Sequence, residues 1–154
     1  MKDENQASEE VVIKEYPKST HWLEGRQIRA VGNLVLTNQR LVFLRQVLPS
    51  EKEIETLQKL SKEESTERLI QFAFTLHKKN FQTPLSSIVS AKLGLHFVFP
   101  SLQPYMRVSY RTASKKVKTL SFRFRLPLLK RLMMSEFPTL GWSRVINKAV
   151  KAQQ

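Results

Sequence analysis

The residues of this sequence whose types and spacing could do chemistry are basic, and they cluster between Tyr105 and Arg125. Positions in this stretch alternate between apolar and polar side chains. The basic side chains of the polar set and of the intervening turn are Arg107, Arg111, Lys115, Lys116, Arg123 and Arg125. Lys130 and Arg131 continue the basic run downstream. Because a guanidinium group can donate two parallel hydrogen bonds to one phosphate, this pattern indicates an anion-binding surface.

Two strands must carry this surface. Residues 105–111 and 117–125 flank the polar turn 112–116, and their period of two is typical of an antiparallel hairpin. Pairing Val108 with Leu120 places the apolar side chains on one face, and Arg107 then lies opposite Ser121, which avoids a like-charge pair. A second interpretation stays open, in which the basic face is a solvated surface whose arginines protect an exposed strand.

The distribution of charge favours an anionic partner. The chain of 154 residues has 26 Lys+Arg and 13 Asp+Glu, a formal net charge of +13. Residues 1–67 are close to neutral, whereas residues 68–154 contain sixteen basic side chains and one acidic side chain, Glu136. The excess positive charge is therefore confined to the second half, as expected for a basic face.

The residue types that enzymes use are scarce. The chain has no cysteine, which excludes disulfides, thiolate zinc sites and cysteine nucleophiles. His21, His77 and His96 lack metal-ligand spacing, and four glycines leave no phosphate-binding loop. We therefore expect no catalytic residue, no metal and no cofactor, and the protein is not expected to be an enzyme.

The remaining elements are predicted from periodicity. We expect a short strand at 11–13 that ends at Pro17, and one loosely alternating strand over 21–30. The runs 34–36 and 41–44 flank a turn at 37–40, and their apolar residues on both parities predict strands buried on both faces. An amphipathic stripe predicts a C-terminal helix, with Trp142, Val145, Ile146, Ala149 and Val150 on its apolar side.

Between these strand regions, the pattern of residues 50–79 predicts helix. Ser50 with Glu53, and Ser61 with Glu64, are capping-box pairs that mark two helix starts. The apolar spacing of this segment is near 3.6, so we expect it to lie outside the sheet.

The segment VLTNQRLVFL at 35–44 resembles the hallmark strand pair of GRAM domains and related bacterial PH-like domains. The matching residues are Gly32, Leu36, Thr37, Asn38, Arg40, Leu41 and Phe43. Pro84, Leu85 and Ile88 resemble the family's next element, a step into a strand. The resemblance implies a mainly β fold: a PH-like bent antiparallel sheet or partial barrel, capped by a C-terminal amphipathic helix. The helical segment 50–79 departs from the family pattern, as an insertion between strands that the family joins by a short loop. We expect one domain over 11–154 that includes this insertion, after a disordered polar N-terminus at 1–10.

The resemblance and the charge together predict a non-catalytic binding module. Peripheral association with anionic membrane lipid through the basic sheet face is the favoured function. The alternative is a protein–protein adaptor that uses the barrel and the helical insertion. Nucleic-acid binding is a third, weaker reading, because the arginines lack the exposed aromatic side chains of a stacking surface.

We also expect a cytoplasmic protein that can attach peripherally to a membrane. Residues 1–10 lack the pattern of a secretory signal, and no apolar run approaches the length needed to span a bilayer.

Overall fold

The computed structural model describes residues 9–25, 27–46, 50–62, 66–98, 101–124 and 138–154. Within these residues lie seven strands: β1 (Val12–Glu24), β2 (Gln27–Thr37), β3 (Arg40–Arg45), β4 (Phe81–Pro84), β5 (Ile88–Val98), β6 (Ser101–Arg111) and β7 (Val117–Phe124). The helices are α1 (Glu51–Lys62), α2 (Thr66–Thr75) and α3 (Pro138–Lys151), and a 3-10 turn (Leu85–Ser87) joins β4 to β5.

The strands form one antiparallel sheet in the order β4-β3-β2-β1-β7-β6-β5. β1 is the corner of this sheet, because it pairs with β2 along its length but with β7 only from Thr20 to Leu23. Its pairing with β2 contains three register shifts, and such bulges bend a strand and increase its twist. The two halves of the sheet therefore turn towards each other at β1.

The curl brings together strands that are not neighbours in the sheet. The ring centroids of Phe43 on β3 and Phe122 on β7 are 5.9 Å apart, although β2 and β1 lie between these strands in the sheet order. Phe81 on the terminal strand β4 lies 5.7 Å, between ring centroids, from Tyr110 on β6. The predicted architecture, a bent antiparallel sheet with a C-terminal helix, is confirmed.

α3 covers the inside of the curled sheet. It begins at Pro138, a residue suited to the first helical position, and it packs mainly against β5 and β6. Trp142, Ile146 and Val150 are buried in the same cluster as the inner faces of the strands, with Val145 and Ala149 packed at its margin. The predicted apolar stripe is therefore confirmed as the helix face that contacts the core.

The outer face of β2 and β3 is covered by α2. Val35 and Val42 point away from the main core and pack with Ile70 of α2 in a second buried cluster, to which Leu44 and Phe74 contribute partly buried side chains. This second cluster explains why apolar residues occupy both parities of the two strands, as the sequence predicted. Removal of α2 would expose Val42, which has no accessible surface in the folded chain.

The helix starts agree only in part with the predicted caps. Glu53 accepts hydrogen bonds from the backbone N–H (2.6 Å) and the hydroxyl (2.7 Å) of Ser50, so the first cap forms before α1. Ser61, expected to begin the second helix, lies inside α1, because the apolar stripe of α1 continues to Leu60 and carries the helix to Lys62. Glu64, the other residue of that pair, lies outside the described residues.

The first strand is also longer than predicted. β1 continues through Pro17 to Glu24, and a turn at Gly25 separates it from β2, so residues 21–30 contain the end of one strand and the start of the next. Pro17 falls in the register shift between Tyr16 and Thr20, where the ladder is interrupted and a missing N–H is tolerated. Among the described residues, no helix has the length and apolar character that crossing a bilayer requires.

Trp142→Ala tests the role of α3. The indole has no accessible surface and stacks on Phe124 with 5.6 Å between ring centroids. We expect the substitution to lower the free energy of unfolding by about 3–5 kcal/mol, because it leaves a large cavity. Urea denaturation measures this loss. Leu140→Ala on the exposed side of α3 is the matched control and should cost far less; equal losses would show that α3 does not close the core.

Candidate functional site

The predicted basic face forms on the outer side of β6 and β7. Val108 pairs with Leu120 and Arg107 with Ser121, which is the register predicted from the sequence. Met106, Val108 and Phe122 are buried in the main core, so Arg107 and Arg111 point to the opposite side, where both are exposed. The hairpin therefore separates an apolar face from a basic face.

β5 contributes a cation that was not predicted from the sequence. Lys92 pairs directly with Arg107 across the ladder of β5 and β6, and both side chains are exposed. Like charges at directly opposed positions destabilise a sheet. The signal in the sequence was the alternation around Ala91, whose buried side chain places Lys92 on the outer face, but the pairing of β5 with β6 was needed to bring Lys92 to Arg107.

Tyr105 holds the guanidinium group of Arg107 in place. The Tyr105 hydroxyl accepts a hydrogen bond of 2.8 Å from Arg107 Nη2, and the guanidinium carbon lies 5.6 Å from the ring centroid. The Tyr105 ring lies against Gly94 on β5, where an added Cβ would come within 2.3 Å of the ring. Gly94 is therefore required for the buried position of Tyr105, and Tyr105 in turn limits the rotamers of Arg107.

The turn between β6 and β7 presents two further cations. Lys115 and Lys116 are exposed, and Lys115 has a positive φ of 61°, which is unusual for a residue with a side chain. The backbone N–H of Thr112 donates to the Lys116 carbonyl, and the N–H of Lys115 donates to the Thr112 carbonyl. These bonds fix the turn at the end of the basic face.

The other predicted cations are not part of this cluster in the described structure. Arg123 is half-buried on β7, opposite His21 of β1. Arg125, Lys130 and Arg131 lie outside the described residues. We define the basic face by its exposed members that the structure describes: Lys92, Arg107, Arg111, Lys115 and Lys116.

The electrostatic character of this face is positive throughout. From residue 68 onward the described residues include no acidic side chain, because Glu136 is the acid of that half and lies outside them. Both ion pairs found among the described residues involve the first half of the chain. The basic face can therefore bind an oxyanion through charge and through the paired donors of arginine.

The residues of the Thr-Asn-x-Arg motif form a structural clamp. The Asn38 side chain donates to the Glu9 carbonyl (2.9 Å) and accepts from the Val11 N–H (2.9 Å), so it pairs with the N-terminal backbone as a strand would. The Thr37 hydroxyl donates 2.7 Å to the Glu10 carboxylate and accepts from the backbone N–H of Arg40.

Arg40 completes this clamp. Its Nε and Nη2 atoms donate to the two carboxylate oxygens of Glu10, at 2.8 and 2.7 Å, and its Nη1 donates to Gln82 of β4 at 2.7 Å. The side chain of Glu10 has no accessible surface. Residue 10, expected in a disordered N-terminus, is thus held in the fold because its charge is paired; residues 1–8 lie outside the described residues.

The pKa of Glu10 reflects two opposing effects. Burial raises the pKa of this carboxyl, whereas the hydrogen bonds from Arg40 and Thr37 and the charge of Arg40 lower it. The net pKa lies below the usual value of 4.5. Glu10 is therefore ionised in the folded protein at neutral pH.

The other motif residues have structural positions. Leu36, Leu41, Phe43, Leu85 and Ile88 are buried in the main core. A Cβ at Gly32 would lie 2.1 Å from the Leu44 carbonyl oxygen, so the close approach of β2 and β3 requires glycine there. Pro84 ends β4, and the Leu85 N–H donates to the Gln39 carbonyl of the clamp turn.

The histidines in the described part of the chain belong to no metal-binding group. Among the described residues, no group of three or more His, Asp or Glu side chains could hold a metal ion. His77 follows α2, and its pKa is lowered by burial and by the neighbouring cations Arg45, Lys79 and Lys78. The side chain of His96 lies outside the described residues.

Comparison with known proteins gives a single finding about structure. No family model matches the sequence, and no curated protein matches it. Among solved structures, the Vps36 N-terminal PH domain aligns with a TM-score of 0.49 at 12% identity, over 93% of this chain and 80% of that one. The fold assignment rests on the strand order and α3 rather than on this likeness.

Glu10→Gln tests the clamp. The variant leaves the Arg40 guanidinium, whose side chain is 16% exposed, without its counter-charge, and we expect a loss of about 3 kcal/mol in the free energy of unfolding. Because the folded pKa is lowered, the pair stabilises the protein above the unfolded pKa and this contribution is lost as the pH falls through the folded pKa.

Urea denaturation from neutral pH into the acid range measures both effects. The variant should lose less stability on acidification than the parent protein. Glu53→Gln is the control, since Glu53 also has a lowered pKa but is only partly buried and is bonded to Ser50 at the start of α1. Parallel pH profiles for the parent and Glu10→Gln would contradict a role for the Glu10 charge.

Proposed function

We propose that this protein is a non-catalytic binding module that associates peripherally with anionic membrane surfaces through the basic face. The observation that carries the proposal is the directly opposed pair of exposed cations, Lys92 and Arg107, with no acidic side chain in the described part of β5, β6 or β7. An unbalanced pair of this kind is offset when an anion binds between or above the two charges.

The shape of the basic face favours binding to an extended anionic surface over binding of a small enclosed ligand. Its cations lie on the outer side of three adjacent strands and in the turn of β6 and β7, so they face the solvent together. Each basic residue held close to an acidic membrane contributes about 1 kcal/mol. Val117, which pairs with Arg111 and is 60% exposed, adds an apolar side chain at the end of the face.

The same proposal includes the finer family assignment and the location. We infer a GRAM-like module from Gly32, from the Thr37–Arg40 turn and from the step at Pro84, and we expect it in the cytoplasm at membrane surfaces. The clamp and the core account for these motif residues structurally, so the ligand-binding role falls to the basic face.

A protein–protein adaptor remains the second candidate function, and one observation favours it. α1 has no buried residue, and Ile54 on its apolar side is 41% exposed. α1 and α2 would then supply the contact surface, and the basic face would be a solvated sheet surface.

Vesicle flotation tests the membrane proposal. The protein is mixed with phosphatidylcholine vesicles that contain or lack phosphatidylserine, and the bound fraction is measured at increasing salt. We expect binding to the acidic vesicles alone and a loss of binding as salt shortens the Debye length. The Lys92→Ser, Arg107→Ser, Arg111→Ser triple variant should bind about a hundredfold more weakly, since three cations contribute about 3 kcal/mol.

A charge-matched control separates the face from net charge. The Lys52→Ser, Lys59→Ser, Lys62→Ser variant removes three exposed cations of α1 and should retain binding. Circular dichroism checks that both variants fold. If the two variants lose binding equally, or if the parent protein ignores acidic vesicles, the basic face is not a membrane site.

A further inference from the structure

β5 is a terminal strand of the sheet, and one side chain forms hydrogen bonds with part of its outer edge, as a neighbouring strand would. Asn147 of α3 accepts a hydrogen bond from the Ala91 N–H (2.9 Å) and donates one to the Ala91 carbonyl (2.8 Å). The backbone polar groups of Ala91 therefore point away from β6. Since this direction alternates along a strand, those of Leu93 and Leu95 point the same way.

Beyond Ala91 this edge is open in the described structure. No described residue forms a hydrogen bond with the outward N–H or C=O of Leu93 or Leu95. Leu95 lies opposite Pro104 of β6. Proline has no N–H to donate, which agrees with backbone groups of Leu95 that point away from β6. An edge of this kind is a template for pairing with another extended segment.

The side chains along this edge differ between the two faces of the sheet. Leu93 and Leu95 lie on the same face as buried Ala91, but α3 does not cover them, and they are 43% and 57% exposed. On the other face, exposed Lys92 lies beside Arg107. A strand added here would meet apolar side chains on one face and cations on the other.

We propose that the outer edge of β5 at residues 92–95 binds an extended segment of a partner protein in which apolar and acidic side chains alternate. Main-chain hydrogen bonds to Leu93 and Leu95 provide the pairing, and alternate side chains provide specificity. Charge selects the occupant: acidic side chains of the partner meet Lys92 and Arg107. In a second copy of this chain, antiparallel pairing through Leu93 and Leu95 would place Lys92 opposite His96 and not opposite an acidic side chain, so two β5 edges lack the charge complement that an acidic segment supplies.

Hydrogen exchange on the whole protein tests whether the edge is open and whether it pairs. The probe is a synthetic seven-residue peptide in which glutamate alternates with valine, compared with a peptide that has lysine in place of glutamate. In the free protein, we expect fast exchange at the amides of Leu93 and Leu95 and slow exchange at Lys92, whose amide faces β6. The acidic peptide should slow the first two amides, and the lysine peptide should not.

Leu95→Pro provides the matched variant. It removes the outward N–H without breaking a bond to β6, and proline is tolerated at such edge positions. Loss of one main-chain hydrogen bond should weaken peptide binding by up to about tenfold, whereas Leu95→Ala keeps the N–H and should weaken it less. Circular dichroism and urea denaturation verify that both variants fold.

The results also separate this proposal from membrane binding. Leu95→Pro keeps every cation of the basic face, so its binding to acidic vesicles should be unchanged. Protection of Leu93 and Leu95 in the free protein would overturn the proposal, because the edge would then be covered by the chain itself. Absence of peptide binding, equal binding of the lysine peptide, or full binding by a folded Leu95→Pro variant would overturn it as well.

Discussion

The apolar inner face of the sheet leaves water because the sheet curls on itself and α3 fills the interior, and the rest of the structure depends on this burial. The contact between Phe43 and Phe122 joins strands that are separated by two others in the sheet order. Each fully buried apolar side chain of this size contributes about 1.5–3 kcal/mol. The bulges of β1 permit the curl, and α3 fills the interior with Trp142, so the inner surface is completed without a closed barrel.

The outer surface of the sheet is divided between packing and charge. α2 covers β2 and β3 by burying Ile70 against Val35 and Val42. The outer surface of β5, β6 and β7 instead presents Lys92, Arg107 and Arg111. Tyr105 is buried on this surface, where its ring packs on Gly94. One half of the sheet is covered by α2 of this chain, whereas the described outer side of the other half is cationic and exposed. The proposed binding surface therefore lies on the second half.

A polar clamp joins the chain termini to the turn between β2 and β3. Arg40 and Thr37 satisfy the buried carboxylate of Glu10, while the Gln153 side chain donates to the Asn38 carbonyl from the C-terminal end. A buried ion pair is worth little more than an apolar substitute of the same size, but a carboxylate left without its partner is costly. A slip of one residue would leave the charge of Glu10 without its partner, so the clamp favours the observed register.

The sequence alone was sufficient to predict features that lie within one helix or one hairpin. The period of two fixed the pairing of Val108 with Leu120, the apolar stripe identified the inward face of α3, and the Ser50 cap placed the start of α1. These features depend on local geometry and on burial of one face, and both are visible in the order of residues. Pro17 and Ser61 misled because tertiary pairing and a continuing apolar stripe overrode their local preference.

Tertiary structure alone decided which distant residues meet. Lys92 lies opposite Arg107 because β5 pairs with β6, and Glu10 reaches Arg40 because the N-terminal segment lies beside the turn at Asn38. Neither contact could be predicted from the sequence. The two residues are 15 positions apart in the first pair and 30 positions apart in the second, and no shared periodic pattern links them. Strand order and curl are cooperative properties of the whole chain. The sequence therefore indicated Arg107, Arg111, Lys115 and Lys116, but only the fold added Lys92 to them.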